Sequence, residues 1–213
     1  IHSPFTFSFL NKTFREKVPV ELKRQGRRYR SEFLGSNLLI TRSTMGAGSL
    51  LSRRGSKEIP LRRLIRQTAI PPKYGKLLFL LAKHFGSDNI LELGTGLGMS
   101  TFYLASGAIN SSVISIEGHA PFAMMAEQEL ANANFTNIEV VNTSFEEELD
   151  KLKREGKRFG LFFIDGDHTL SATLENFSRC FDISTQNAIF IFDDIHWSNE
   201  MEEAWESIKQ QDR

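Results

Sequence analysis

A single cysteine, Cys180, serves the whole 213-residue chain. Without a second thiol there is no internal disulfide and no thiolate zinc site, which excludes cystine-stapled secreted scaffolds and small zinc modules. A reducing, cytoplasmic setting is the expectation. Long apolar runs are missing as well: none approaches the roughly 20 residues that span a bilayer. The opening IHSPFTFSFL is too short, and too often interrupted by polar residues, for a secretory leader. No membrane partner is expected. The chain opens on Ile1 rather than methionine, so little rests on the missing leader.

Net charge is absent too, 26 Lys+Arg against 26 Asp+Glu, but the balance hides a division. Residues 1–87 carry 18 basic and 4 acidic side chains, and residues 88–213 carry 8 and 22. A basic half can meet nucleic acid or an anionic substrate. Here the basic residues are scattered among Gly, Ser and Leu without interleaved aromatics, which favours docking on the acidic half or plain solvation.

What is present from Asn89 onward is a rhythm. Apolar, β-branched or aromatic runs end at Leu93 (NILEL), Glu117 (VISIE), Val141 (IEVV), Asp165 (LFFID) and Asp193 (AIFIFD), spaced 24, 24, 24 and 28 residues apart. Each interval holds one strand, one helix and two short loops. Runs apolar on both sides belong to a parallel sheet covered by helices on both faces. Between them, 120–133 is rich in Ala and Met, 146–154 is charged and amphipathic, and Met201, Ala204, Trp205 and Ile208 keep helical spacing. The expected fold is α/β: a Rossmann-like, doubly wound, mainly parallel sheet of at least five strands. No sixth strand is visible before Arg213.

Upstream, Pro71-Pro72 opens a helix with Leu77, Leu78, Leu81, Ala82 and Phe85 on one face, and another helix is expected over Leu61–Gln67. The stretch 41–57, rich in Gly, Ser and Arg, has no period and reads as a mobile linker or a lid. The chain thus divides into a basic extension, 1–70, and a core, 71–213. The Phe-rich start (Phe5, Phe7, Phe9, Phe14) reads as a clasp on the core or on a second copy of the chain, as in a homodimer.

The first strand runs into Glu92-Leu93-Gly94-Thr95-Gly96-Leu97-Gly98-Met99-Ser100, where doubly wound folds bind nucleotides. Glycines there let the backbone turn sharply and approach a ligand. Met99 stands where a dinucleotide fingerprint needs Gly or Ala, and the Gly-Lys-Ser/Thr of a P-loop is absent, so neither phosphate-binding reading holds. Glu117, at the tip of the second strand, can accept hydrogen bonds from both hydroxyls of a ribose.

These residues resemble the class I S-adenosylmethionine (SAM)-dependent methyltransferases over about residues 71–208. The resemblance implies that Glu92, Gly94, Thr95, Gly96 and Gly98 form the SAM loop, that Glu117 holds the ribose, and that Ser144 lies near the adenine. That fold normally closes with two further strands forming an antiparallel edge, so either the gene product continues or the core is reduced.

The fourth strand ends Ile164-Asp165-Gly166-Asp167-His168 and the fifth Phe192-Asp193-Asp194-Ile195-His196-Trp197. Neighbouring tips would crowd three carboxylates, which repel unless protons or a cation neutralise them. An oxygen cluster of this kind suits Mg²⁺ or another hard divalent ion. The alternative is that these residues cap helices. The pattern resembles the metal-dependent O-methyltransferases of the catechol type, and more closely those acting on macrolide sugars. The resemblance implies that Asp165, Asp193 and Asp194 hold the metal and that His168 is the base, a helix cap being its alternative role. The expected activity is methyl transfer from SAM to a hydroxyl of a small molecule or sugar. An RNA methyltransferase is the rival reading, favoured by the basic first 87 residues and opposed by the acidic tips, which would repel a phosphate backbone. A SAM-binding module without catalysis is another. His196 and Trp197 belong to the acceptor's mouth or to the start of the last helix; His2, His84 and His119 read as structural or surface residues.

Overall fold

The computed structural model describes residues 4–41, 58–86 and 88–211. The chain opens with helices: α1 (Pro4–Leu10), a π-helical turn at Asn11–Arg15, and α2 (Val20–Leu34). α2 is strongly basic, yet Leu22, Gly26, Tyr29 and Phe33 recur at helical spacing and are buried as one stripe. Two three-residue strands, β1 (Leu39–Thr41) and β2 (Glu58–Pro60), pair antiparallel. The expected linker or lid between them lies outside the described residues. α3 (Leu61–Thr68) and α4 (Pro72–Phe85) follow where the sequence places them, Pro72 supplying a preset φ at a position that needs no amide donor.

From Ile90, strands and helices alternate: β3 (Ile90–Leu93), α5 (Met99–Gly107), β4 (Val113–Ile116), α6 (Ala120–Asn132), β5 (Ile138–Val141), α7 (Phe145–Arg154), β6 (Phe159–Ile164), α8 (Leu170–Asp182), β7 (Ser184–Phe192) and α9 (Asn199–Lys209). The five strands form one parallel sheet in the order β5-β4-β3-β6-β7. This is the expected Rossmann-like, doubly wound α/β fold. The chain moves outward from β3 through β4 and β5, then crosses to β6 and β7, so the strand order reverses at β3, where such sheets bind ligands.

β3, β4 and β6 are buried along their whole length, as strands covered on both faces must be. Alternate side chains feed two cores. Ile90, Val113, Leu161 and Phe163 join one apolar cluster with residues of α4, α5 and α6, while Leu91, Leu93, Ile114, Ile116 and Phe162 join another with Leu149, Leu152 and Cys180. The first cluster also takes in Leu22, Tyr29 and Phe33 of α2 and Leu61, Leu64 and Ile65 of α3. The core therefore runs through the boundary expected near residue 70. Of the Phe-rich start, Phe9 packs on Phe85 with ring centroids 5.7 Å apart, whereas Phe7 and Phe14 are exposed. Among the described residues no helix is long and apolar enough to cross a membrane.

Candidate active site

Strand register builds the site. Leu93 lies level with Ile116 on one side and Ile164 on the other, and Ile164 is level with Phe192. The ladder continues one residue past the strands: Gly94 N donates to Ile116 O (3.0 Å), Asp165 N to Leu93 O (2.9 Å) and Asp193 N to Ile164 O (3.0 Å). Glu117, Asp165 and Asp193 thus leave the sheet at its carboxyl edge. Gly94 is the seam between them. At φ 100° it passes so close to the end of β6 that a Cβ would lie 2.0 Å from Asp165 O, which admits only glycine.

On one side of that seam is a closed hydrogen-bond chain. Glu92 is fully buried, and its Oε2 accepts from Thr101 Oγ1 (2.5 Å) and Ser115 Oγ (2.6 Å). Because the Ser115 hydroxyl spends its proton on Glu92, the 2.6 Å contact with Thr95 must have Thr95 Oγ1 as donor. Burial pushes the Glu92 carboxyl up to about 7, with the hydroxyls of Ser100, Ser115 and Thr101 pulling the other way. Glu92 Oε1 has no hydrogen-bond partner among the described residues. Glu117 accepts from Gly96 N at Oε2 and from His119 N at Oε1, both at 2.8 Å; burial raises its carboxyl and these two bonds oppose the rise. Ser144 is exposed and caps α7, accepting from Glu147 N at 3.2 Å. Sequence reasoning missed Ser115 and Thr101; the available signal was a hydroxyl within the otherwise apolar VISI strand and another on a buried helix.

On the other side the carboxylates crowd. Asp165 and Asp194 each place an oxygen near His168 Nε2, at 3.7 and 3.9 Å. Ligand atoms of Asp165, His168 and Asp194 all lie within 4.8 Å of one another, a set able to hold a metal ion. Asp193 is not in that set: its Oδ1 accepts from Asp194 N at 2.9 Å. The trio therefore differs from the three aspartates expected from the sequence, with His168 in the place of Asp193. Burial, and then the charges of Asp193 and Asp194, hold the Asp165 carboxyl well above the usual carboxylate range. Burial likewise raises Asp193, opposed by its bond to Asp194 N. Asp167 and Asp194 adopt left-handed backbone (φ 53° and 52°), a conformation costing about 1–2 kcal/mol for residues other than glycine. The caps that competed with a site reading are filled by others, Thr169 on α8 and Ser198 on α9. Trp197 stands beside His168 with ring centroids 6.3 Å apart, while His196 turns to Glu202 of α9 at 3.1 Å.

A glycine loop at the tip of the central strand, an acid on the next tip and an acidic pair of tips across the seam together make up the candidate site. Residues 91–195 match the family described as a methyltransferase domain. Over 102 residues the chain is 33% identical to a catechol O-methyltransferase of Niastella koreensis, the match covering 46% of each sequence. The chain spans about half the length of the curated relatives it matches. Among solved structures, the O-methyltransferase of Bacillus cereus in complex with S-adenosylhomocysteine has a TM-score of 0.64 at 20% identity, over 98% of this chain and 87% of that one. The O-methyltransferase TomG of Streptomyces achromogenes, in complex with SAM, has a TM-score of 0.57 at 23% identity, over 88% and 79%. These structural likenesses establish the fold.

Proposed function

We propose that the chain transfers a methyl group from SAM to a hydroxyl of a small molecule or sugar, assisted by a divalent cation such as Mg²⁺. The observation that carries the reading is the meeting, across Gly94, of a hydrogen-bonded glycine loop and an under-neutralised carboxylate group.

The loop fits SAM. A Cβ at Gly96 would meet nothing within 4 Å, and the unpartnered Glu92 Oε1 is a buried acceptor beside the loop. Glu117 would hold the ribose, since each of its oxygens keeps a free lone pair beyond the backbone bond it accepts, and Ser144 would lie toward the adenine. SAM supplies an electrophilic methyl group on a sulfonium. The tips of β6 and β7 fit a cation: carboxylate oxygens suit a hard divalent ion, and positive charge there would relieve the repulsion that adds to burial in raising Asp165. Asp165 and Asp194 would hold it, with Asp193 alongside. A bound cation would draw in the acceptor hydroxyl and make its proton more acidic. His168 Nε2 then takes that proton as the oxygen attacks, and the half-exposed Trp197 gives the acceptor an apolar wall. Most of the rate comes from positioning the oxygen in line with the methyl group.

A second reading of His168 is supported by its place between two carboxylates: it is a ligand rather than the base. Metal affinity separates the two. As base, His168→Ala lowers kcat by roughly 10² with Mg²⁺ affinity unchanged; as ligand, the same variant weakens Mg²⁺ binding first.

Thermal melting with SAM, Mg²⁺ and RNA added separately tests the whole proposal. Stabilisation by SAM and by Mg²⁺, followed by release of S-adenosylhomocysteine in a screen of hydroxyl acceptors, supports it. Stabilisation by SAM and RNA would replace it with an RNA methyltransferase, and by SAM alone with a non-catalytic binding module.

A further inference from the structure

The glycine loop has few side chains by which packing could hold it. Gly94, Gly96 and Gly98 all sit at positive φ, and a loop so rich in glycine has many conformations open to it unless bonds restrict them. The sheet and the loop supply several: Gly94 N and Thr95 N donate to Ile116 O, Gly98 N to Thr95 O, and Gly96 N to Glu117. One more comes from a residue 68 positions earlier. Tyr29, on the buried stripe of α2, donates its hydroxyl to Leu97 O at 3.0 Å.

The fit between this tyrosine and the loop is mutual. A Cβ at position 98 would lie 2.5 Å from the Tyr29 hydroxyl, so that hydroxyl fills the hollow left by the glycine. The Tyr29 ring is wedged between Phe33 and Phe102, at centroid distances of 5.6 and 5.3 Å. One turn earlier on the same face, Gly26 lets α2 approach α5, since a Cβ there would lie 2.7 Å from the Tyr103 hydroxyl. Burial drives the Tyr29 phenol far above its ordinary value, which keeps it a hydrogen-bond donor throughout the working pH range. Leu97 is itself buried, so without Tyr29 its carbonyl would go unpaired or its peptide would turn to find another partner.

We propose that Tyr29 is a positioning residue for the cofactor: it fixes the Leu97–Gly98 peptide from behind and so sets the affinity of the loop for SAM. The inference rests on the reading of this loop as the SAM site. It gives the basic N-terminal region a part in cofactor binding that no charge pattern suggests.

Calorimetry with S-adenosylhomocysteine at 25 °C tests it. Tyr29→Phe keeps the ring and removes the hydroxyl; the expected result is a Kd raised about three- to tenfold, with displaced amide resonances at Gly96 and Gly98. Leu22→Ala, on the same stripe but two turns away from Tyr29, should lower the melting temperature and leave Kd unchanged. If the parent fails to bind S-adenosylhomocysteine, the cofactor reading falls. If the parent binds and Tyr29→Phe binds equally well, or Leu22→Ala weakens binding as much, the positioning role is overturned. Should Tyr29→Phe not fold, hydrogen exchange of the parent decides: S-adenosylhomocysteine must slow exchange in α2 together with the loop, and an unaffected α2 overturns the proposal.

Discussion

At the tips of β3 and β4 the carboxylates are tied to the protein. Glu92 accepts two hydroxyl bonds and Glu117 two backbone amides, all between 2.5 and 2.8 Å. At the tips of β6 and β7 the pairs that Asp165 and Asp194 make with His168 are 3.7 and 3.9 Å long, beyond hydrogen-bond reach. Burial is the largest cause of the raised acids on both sides of the seam. At Glu92 three hydroxyls oppose it, whereas at Asp165 the charges of Asp193 and Asp194 add to it. A bonded carboxylate presents a fixed shape to a ligand of fixed shape. A crowded one is a deficit of positive charge, which a proton or a cation can make up.

Gly94→Ala should break the contrast altogether, because one Cβ at φ 100° would strike the backbone of Asp165. A stability loss of roughly 3 kcal/mol or more is expected, measured by urea denaturation, together with joint loss of S-adenosylhomocysteine and Mg²⁺ binding; loss of one without the other would show that the two halves do not share this seam. Next in size, Glu92→Gln sharpens the account of the bonded half. The folded carboxyl lies above its unfolded value, so the folded state holds the proton more tightly and stability falls as pH rises from about 4.5 to about 7. The Gln variant should lack that component, a difference of roughly 1 to 3 kcal/mol across the window; identical pH profiles of the two melting curves would show that Glu92 titrates normally. A mirrored pair gives the smallest effects. Glu117→Ala should weaken S-adenosylhomocysteine binding about tenfold, or about 1.4 kcal/mol, and leave Mg²⁺ affinity alone, while Asp165→Asn should do the reverse. Calorimetry that finds both variants weakening both ligands would erase the distinction between the halves.

The five sheet strands were legible because strands buried on both faces advertise themselves as apolar runs, and each ends within one residue of its expected tip. β1 and β2 were not, since three residues are too few to show a period. α2 hides its stripe among five Lys and Arg side chains, so it reads as solvated and its part in the core is lost. The candidate site was legible as a set of acids. Which three groups converge was not, because the left-handed turns at Asp167 and Asp194 aim the side chains, and no pattern in the sequence announces a positive φ at aspartate. Tyr29 carries no local signal at all, its partner being remote along the chain.

That remoteness bears on how the protein is made. Tyr29 meets Leu97, and Glu16 meets His84, each across 68 residues. At the pace of translation this interval takes on the order of 3 to 14 s. Throughout it the nascent α2 offers Leu22, Tyr29 and Phe33 with no sheet or α5 yet in place to cover them. This segment thus leaves the ribosome well before the elements that cover it, and a chaperone that binds apolar helices has its opening there before any strand of the sheet exists.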